Sequence, residues 1–380
     1  MKLRRIRYGM ILLAFMLLSC KQEGSMPPDP PPGAQDLLLR GLDLSFTPEI
    51  NGSDIQYTVN GVVKPILQLV KEQGINTIRV RIWNQPSTVH SSYEEVKAFA
   101  AQIKTAGLKF WLDFHYSDTW ADPGHQTKPA AWTNATPAQL NDSIYSYTKR
   151  IMTGLKDSGL SPEYVQIGNE INDGMLWNDG RIYKPEGEDW ESLSSLIKKA
   201  SQAVREVSPT TLIMLHYAGY EGADVYFNKL SAVKNDFDMI GLSYYNWWHG
   251  NSTDDLKVMI NKLNYFHNKP VILAEVAYPW TLGWNDWTNN FVGLESHLVP
   301  GYPATPEGQS AMMANLIDII TDVAYEEHSG ICYWAPEWVA FKGTQATDGS
   351  PWENLALFNF ENEALPALET LGMHNRPVGK

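Results

Sequence analysis

The chain is 380 residues long, 43% hydrophobic, with a formal net charge of −13 from 43 Asp and Glu against 30 Lys and Arg. That length is enough for one large buried core. The acidic balance argues against nucleic-acid backbones as partners and fits a neutral ligand.

The first twenty residues read as an export signal. Lys2, Arg4, Arg5 and Arg7 form a basic start, and the apolar stretch from Met10 to Leu18 is too short to span a bilayer. Leu17-Leu18-Ser19-Cys20 resembles a bacterial lipobox, a signal in which Cys20 is lipidated and becomes the new N-terminus. Lys21 after it, rather than Asp, fits an exported lipoprotein anchored at the outer membrane or cell surface. Residues 21–36, with Pro27-Pro28-Asp29-Pro30-Pro31-Pro32-Gly33, read as a disordered tether. Removing residues 1–19 takes away four basic and no acidic residues, so the charge moves from −13 to −17. Cys332 then stands alone, which excludes an intramolecular disulfide and a thiolate metal cluster. Membrane contact is expected through the lipid alone, and a monomer is expected.

From 37 to 375 the chain reads as one domain. Strand-like runs fall at 41–46, 75–82, 109–115, 164–170, 211–217, 239–245, 270–277 and 330–335. Helical patterns lie between them at 63–73, 93–106, 137–158, 190–207, 223–233, 256–268 and 305–327, with a short closing helix at 363–371. Alternating strand and helix means a parallel sheet, and eight units suit a closed (β/α)8 TIM barrel. A doubly wound sheet is the alternative, but no Gly-x-Gly-x-x-Gly follows the first strand.

A barrel places function at the C-terminal ends of its strands. Those ends carry Asp43 and Ser45, Arg79, Arg81 and Trp83, Asp113 and His115, Asn169 and Glu170, His216 and Tyr217, Tyr244 and Tyr245, Glu275, and Trp334, whereas the strand starts are apolar. Long loops at 116–134 and 278–303 follow two of these ends, the second bearing Trp280, Trp284 and Trp287. The 14 Trp and 18 Tyr exceed a core's needs, and flat aromatic faces commonly stack on sugar rings. Two of the ends are carboxylates on buried apolar runs: Glu170 closes Tyr164-Val165-Gln166-Ile167-Gly168-Asn169-Glu170, and Glu275 sits in Val271-Ile272-Leu273-Ala274-Glu275. A carboxylate is costly there without a task. A pair on separate strands is what glycoside hydrolysis uses: one acid/base, one nucleophile or base.

These residues resemble a retaining barrel clan of glycoside hydrolases. Further segments narrow the likeness: Arg79-Val80-Arg81-Ile82-Trp83-Asn84, Asp113-Phe114-His115-Tyr116-Ser117-Asp118-Thr119-Trp120-Ala121-Asp122-Pro123-Gly124, Ser243-Tyr244-Tyr245 and Tyr333-Trp334 resemble glycoside hydrolase family 53, the endo-β-1,4-galactanases. The resemblance implies internal, retaining cleavage of β-1,4-galactan and galactooligosaccharides, with Glu170 as acid/base and Glu275 as nucleophile. It implies Arg81, His115, Asn169, Tyr244 or Tyr245, and Trp334 around the scissile sugar. Trp83, Asp113, Asp118, Trp120 and Trp280 are further expected substrate contacts. Arg81 and a tyrosine are expected to favour the Glu275 anion, while Arg79 reads as an interior ion pair with Asp43 or Asp113. No cofactor is required. The family often holds Ca2+ after the seventh strand through Asp-x-Asp-x-His-x-Asn; here Trp284-Asn285-Asp286-Trp287-Thr288-Asn289-Asn290 keeps Asp286 and Asn290, against the six to eight oxygens calcium takes. The rival readings are a mannanase or cellulase of the same clan, and a non-catalytic glycan-binding surface lipoprotein.

Overall fold

The computed structural model describes residues 38–324 and 327–375. The expected leader, Cys20 and the Pro-rich tether lie outside the described residues. Among those residues no helix is long and apolar enough to cross a membrane.

Eight strands are assembled: β1 Leu39–Asp43, β2 Thr77–Ile82, β3 Lys109–Phe114, β4 Tyr164–Ile167, β5 Leu212–Ala218, β6 Met239–Tyr244, β7 Val271–Val276 and β8 Gly330–Trp334. They are parallel and close into a barrel in the order β1-β8-β7-β6-β5-β4-β3-β2. The helices on the outside are α1 Ile66–Glu72, α2 Tyr93–Thr105, α3 Pro137–Asp157, α4 Trp190–Val207, α5 Ala223–Ala232, α6 Thr253–His267, α7 Pro306–Ala324 and α8 Pro366–Met373.

Side-chain alternation divides the strands into two faces. Ile78, Val80 and Ile82 of β2, with Phe110, Leu112 and Phe114 of β3, belong to the large apolar layer between strands and helices. Their neighbours face inward: Trp111 joins Leu39, Tyr164, Met214, Met239 and Ile272 in a second apolar cluster. These residues sit early in their strands, so the lower barrel is packed hydrocarbon rather than a channel. The charged side chains Arg79 and Asp113 stand further along the same strands, with the Arg79 guanidinium 5.4 Å from the Trp111 ring centroid. Truncating a fully buried tryptophan of this kind costs about 3–5 kcal/mol.

Local signals set the helix starts. Ser92 accepts the Glu95 amide at the head of α2. Thr136 and Gln139 form a reciprocal capping box at the head of α3, with Pro137 inside the first turn. The expected helix from 63 begins later, at Ile66, because Val62–Val63 pairs with Thr58–Val59 and Pro65 precedes the helix. The strand expected at 164–170 stops at Ile167, because Gly168 (φ +77°) and Glu170 (φ +48°) both turn left-handed. A Cβ on Gly168 would approach Ile171 Cγ2 to 2.5 Å. Two small hairpins, Gly174–Met175 with Gly180–Arg181 and Tyr183–Lys184 with Gly187–Glu188, occupy the β4–α4 connection. They are too short to show periodicity in the sequence.

Candidate active site

Glu275 faces inward because β7 carries one residue more than its neighbours. Leu242 pairs with Leu273 and Ser243 with Glu275, which skips Ala274. On the other side Ile331 pairs with Leu273 and Tyr333 with Val276, two steps against three. Strict alternation after the inward Ile272 and Ala274 would turn Glu275 toward the helices. A β-bulge re-aims a side chain in this way. Glu170 reaches the same cleft from the left-handed turn after β4. Holding a non-glycine residue there costs on the order of 1–3 kcal/mol, a strain typical of functional sites.

The two carboxylates have different partners. Arg79 Nη1 meets Glu275 Oε1 at 2.8 Å, and the Tyr245 hydroxyl donates to Glu275 Oε2 at 3.0 Å. Arg79 also pairs with Asp43 at 2.9 Å and Asp113 at 2.8 Å, and donates to Asn169 Oδ1 at 2.9 Å. Burial pushes the Glu275 carboxyl up to about 7, with Arg79 and Tyr245 opposing and Asp43 and Asp113 adding to the rise. Among the described residues no cation forms an ion pair with Glu170; its Oε1 accepts from Ser243 at 2.6 Å. Burial, then the nearby charge of Glu275, hold Glu170 well above the ordinary carboxylate range. Both carboxyls are raised; Glu275 has a cation and a hydroxyl that favour its anion, whereas Glu170 has the Ser243 hydroxyl alone beside it and the charge of Glu275 against it.

Both glutamates open on a cleft of about 660 Å³. Of the residues expected from sequence, the structure brings Arg81, Asp113, His115, Trp120, Asn169, Tyr245 and Trp334 to its walls with them. Arg81 does not pair with Glu275; that role falls to Arg79. The Arg81 guanidinium lies 4.2 Å from the ring centroids of both Phe46 and Trp120, and its Nε donates to Ser91. His115 is fully engaged: Nε2 meets Asp113 at 3.1 Å, while Nδ1 accepts from Ala121 N at 3.0 Å and Trp83 Nε1 at 3.3 Å. It therefore holds the loop after β3 against Asp113.

Four expected contacts are not among the cleft's walls. Trp83 sits behind Trp120, edge to face at 5.4 Å. Asp118 ties the loops after β2 and β3 together, accepting from the amides of Gln85 and Ala130. The Tyr244 hydroxyl donates to the Gly250 carbonyl, so it is Tyr245 that faces the cleft. Trp280 packs edge-on against Phe360 at 4.7 Å. In its place the cleft gains Trp338 and Trp352 from the segment after β8, and Trp248 and Phe291 at its rim. The Trp334 ring stands 4.6 Å from Trp352, and Phe291 lies 5.6 Å from Trp352. The unusual length of the connection between β8 and α8 was the available signal for Trp338 and Trp352.

Asp286 and Asn290 lie in a loop whose carboxylates are engaged by backbone amides. Both Asp286 oxygens accept backbone amides, from Thr288 at 2.6 Å and Ser350 at 3.1 Å. Glu353 Oε1 accepts the amides of Asn285 at 2.5 Å and Asp286 at 3.3 Å. Asn290 Oδ1 and Glu353 Oε2 are buried oxygens without partners. They are side-chain oxygens left free at this loop, where calcium takes six to eight oxygens in all. Among the described residues no three His, Cys, Asp or Glu side chains gather around a metal position. Amide-to-carboxylate hydrogen bonds hold this loop.

Known proteins share this architecture. An arabinogalactan endo-β-1,4-galactanase of Cellvibrio japonicus is 35% identical over 339 residues, 86% of this chain and 88% of that one. The solved family 53 catalytic domain of Ignisphaera aggregans is 34% identical with a TM-score of 0.85, covering 92% of this chain and 99% of that one. A solved fungal β-1,4-galactanase is 29% identical with a TM-score of 0.75, covering 88% of this chain and 98% of that one. The family model "Glycosyl hydrolase family 53" matches residues 39–371, and with the barrel and its paired carboxylates this places the chain in that family, as a glycoside hydrolase.

Proposed function

We propose that this enzyme cuts internal β-1,4-galactosidic bonds of galactan and galactooligosaccharides with retention of configuration. The observation that carries the reading is the asymmetry of the two buried glutamates: Glu275 is ion-paired to Arg79, and Glu170 has no cation partner among the described residues. The galactanase names of the relatives support the choice of sugar.

Glu275 attacks the anomeric carbon while the proton of Glu170 passes to the departing glycosidic oxygen. Water, deprotonated by Glu170, then releases the galactosyl-enzyme intermediate. Asn169 Oδ1 is taken by Arg79 and Gln166, and one Nδ2 proton by the Ala121 carbonyl at 2.8 Å. Its second Nδ2 proton is available to a sugar hydroxyl. Trp334, half-buried against Trp352, serves as a floor for the sugar ring. The two carboxylates carry the chemistry, and no cofactor takes part in it.

The test is turnover of linear β-1,4-galactan, with product length followed over time and product anomer read by NMR. Glu170→Gln and Glu275→Gln are each expected to lose at least about a hundredfold while remaining folded. Inverted product, or near-normal turnover by either variant, overturns the mechanism. Faster cleavage of mannan or cellulose than of galactan overturns the substrate.

We also infer that the chain is exported as a lipoprotein through Cys20 and works as a monomer outside the cytoplasm. The basic start, the short apolar stretch and the Pro-rich segment of the sequence support this. Metabolic labelling with radioactive palmitate should mark the wild type and spare Cys20→Ala; equal labelling removes the anchor from the account.

A further inference from the structure

We propose that Ser243, oriented by His216, is a positioning residue that keeps the acidic proton of Glu170 on Oε2, the carboxyl oxygen left for the substrate. This rests on the reading of Glu170 as general acid.

The Ser243 hydroxyl has one proton, and its oxygen lies 2.6 Å from Glu170 Oε1. An oxygen that accepts at that distance offers a lone pair, so the carboxyl proton resides on the other oxygen. Among the described residues no hydrogen bond reaches Glu170 Oε2, and Glu170 lines the cleft. Ser243 Oγ is also 2.9 Å from His216 Nε2. With the hydroxyl proton committed to Glu170, Nε2 must donate. Nδ1 then carries the lone pair: the Glu170 backbone N–H (3.4 Å) and Gln166 Nε2 (3.0 Å) approach it as donors, while Asn169 Oδ1, an acceptor already held by Arg79 and Gln166, also lies 3.0 Å away and would take a proton from Nδ1 in the opposite tautomer. Burial, then the charge of Arg79, holds the imidazole neutral, as this single-donor role requires.

Three neighbouring strands fix the triad. His216 is on β5, Ser243 on β6 pairs directly with Glu275 on β7, and Glu170 follows β4. All three side chains are buried. Without Ser243 the proton would divide between two oxygens, one of them facing protein. With it, the Oε2 proton transfers to the leaving oxygen as the glycosidic C–O bond breaks. Glu170 becomes a carboxylate still held at Oε1, and Oε2 takes the proton of the attacking water in the second step.

The charged and titratable groups facing Glu170 are Arg79 from β2, Glu275 from β7, Asp122 from the loop after β3, Tyr245 after β6 and neutral His216. Of these only His216, whose Nε2 meets Ser243 Oγ, loses a partner when Ser243 changes. Its loss removes a donor to the anion and raises the Glu170 pKa, so the basic limb of kcat/KM on galactan moves to higher pH.

The test compares wild type, Ser243→Ala, Ser243→Thr and Glu170→Ala on two substrates: β-1,4-galactan, whose sugar leaving group needs a proton, and a 2,4-dinitrophenyl β-galactobioside, whose leaving group does not. Ser243→Ala should lose roughly ten- to hundredfold in kcat on galactan, the worth of one hydrogen bond to a charged group. KM should hardly change, the basic limb should move up, and bond cleavage in the dinitrophenyl substrate should stay near wild type. Ser243→Thr should restore galactan turnover. Equal losses on both substrates with an unmoved limb, or no loss on galactan, overturn the proposal. Glu170→Ala tests the underlying reading separately: it should lose galactan cleavage and keep the first, burst release of dinitrophenol, with slow turnover after it because no base activates water, and if it still cleaves galactan that reading falls. Should Ser243→Ala fail to fold, 15N NMR of wild-type His216 decides. The Nε2–H tautomer supports the arrangement, and the Nδ1–H tautomer overturns it by spending the Ser243 proton on His216.

Discussion

Arg79 and Glu275 meet at 2.8 Å inside the barrel, and the same guanidinium also holds Asp43 and Asp113. One cation thus serves three buried carboxylates. The arrangement lets Glu275 ionise in a place where burial alone would keep it protonated.

Replacing that cation should damage folding as well as catalysis. Arg79→Met leaves three buried acids without their cation, and breaking a buried pair from one side costs about 3–5 kcal/mol. Urea unfolding at pH 7 measures this. A variant as stable as the wild type would show that the acids are carried neutral.

Tyr245→Phe removes the hydroxyl that donates to Glu275 Oε2 and little else. A donor to the anion lowers a carboxyl's pKa, so its loss raises that of Glu275. The reaction needs Glu275 ionised, so the acidic limb of the galactan pH profile should move upward and activity at pH 6 should fall more than at pH 8. An acidic limb that stays in place would separate Tyr245 from the ionisation of Glu275.

Glu337 sets a pH dependence of stability. It is fully buried; Oε1 accepts the Phe46 amide at 3.1 Å, and Oε2 is unpartnered. Burial is the main cause of its rise to about 8. A carboxyl whose folded pKa is raised stabilises the fold below its unfolded value, near 4.5, and that contribution is lost as pH climbs through 8. At about 1.4 kcal/mol per pKa unit the loss is about 5 kcal/mol at most. Glu337→Gln keeps the Oε1 acceptor and cannot ionise. Its melting temperature should therefore fall less than that of the wild type between pH 5 and 9, with the remaining slope from Glu170 and Glu275. Parallel curves would rule Glu337 out as the source.

The loop after β7 should be indifferent to chelators. With Asp286 and Glu353 engaged by backbone amides, EDTA is expected to leave the melting temperature unchanged. Asp286→Ala, which strips two amide partners, should cost roughly 2–4 kcal/mol. A fall in melting temperature with EDTA, reversed by calcium, would establish a cation there instead.

Much of the barrel was readable from local patterns. In β2 the alternation Ile78, Arg79, Val80, Arg81, Ile82 assigns one face to the helices and one to the interior. Glycine and capping residues marked most element ends. Glu170 and Glu275 stood out as carboxylates at the ends of apolar runs. Less readable was which interior arginine each acid meets. Arg79 and Arg81 share a strand face two residues apart, and only their height along the barrel separates the one that pairs with Glu275 from the one clamped between Phe46 and Trp120. Trp280 and Trp352 pose the same problem in loops, where no period reveals which way a ring points.

The period of two in the strands and of three to four in the helices was enough to specify eight repeating units, because each unit must bury one apolar face and those faces are written locally. The inward turn of Glu275 was not written there. It follows from one extra residue in β7, which can be recognised only against β6 and β8 on either side. The Ser243–Glu170 and Arg79–Glu275 contacts likewise join residues 73 and 196 positions apart. Closure of the barrel brings them together, and burial there is what makes a single proton or a single cation decide the state of each acid.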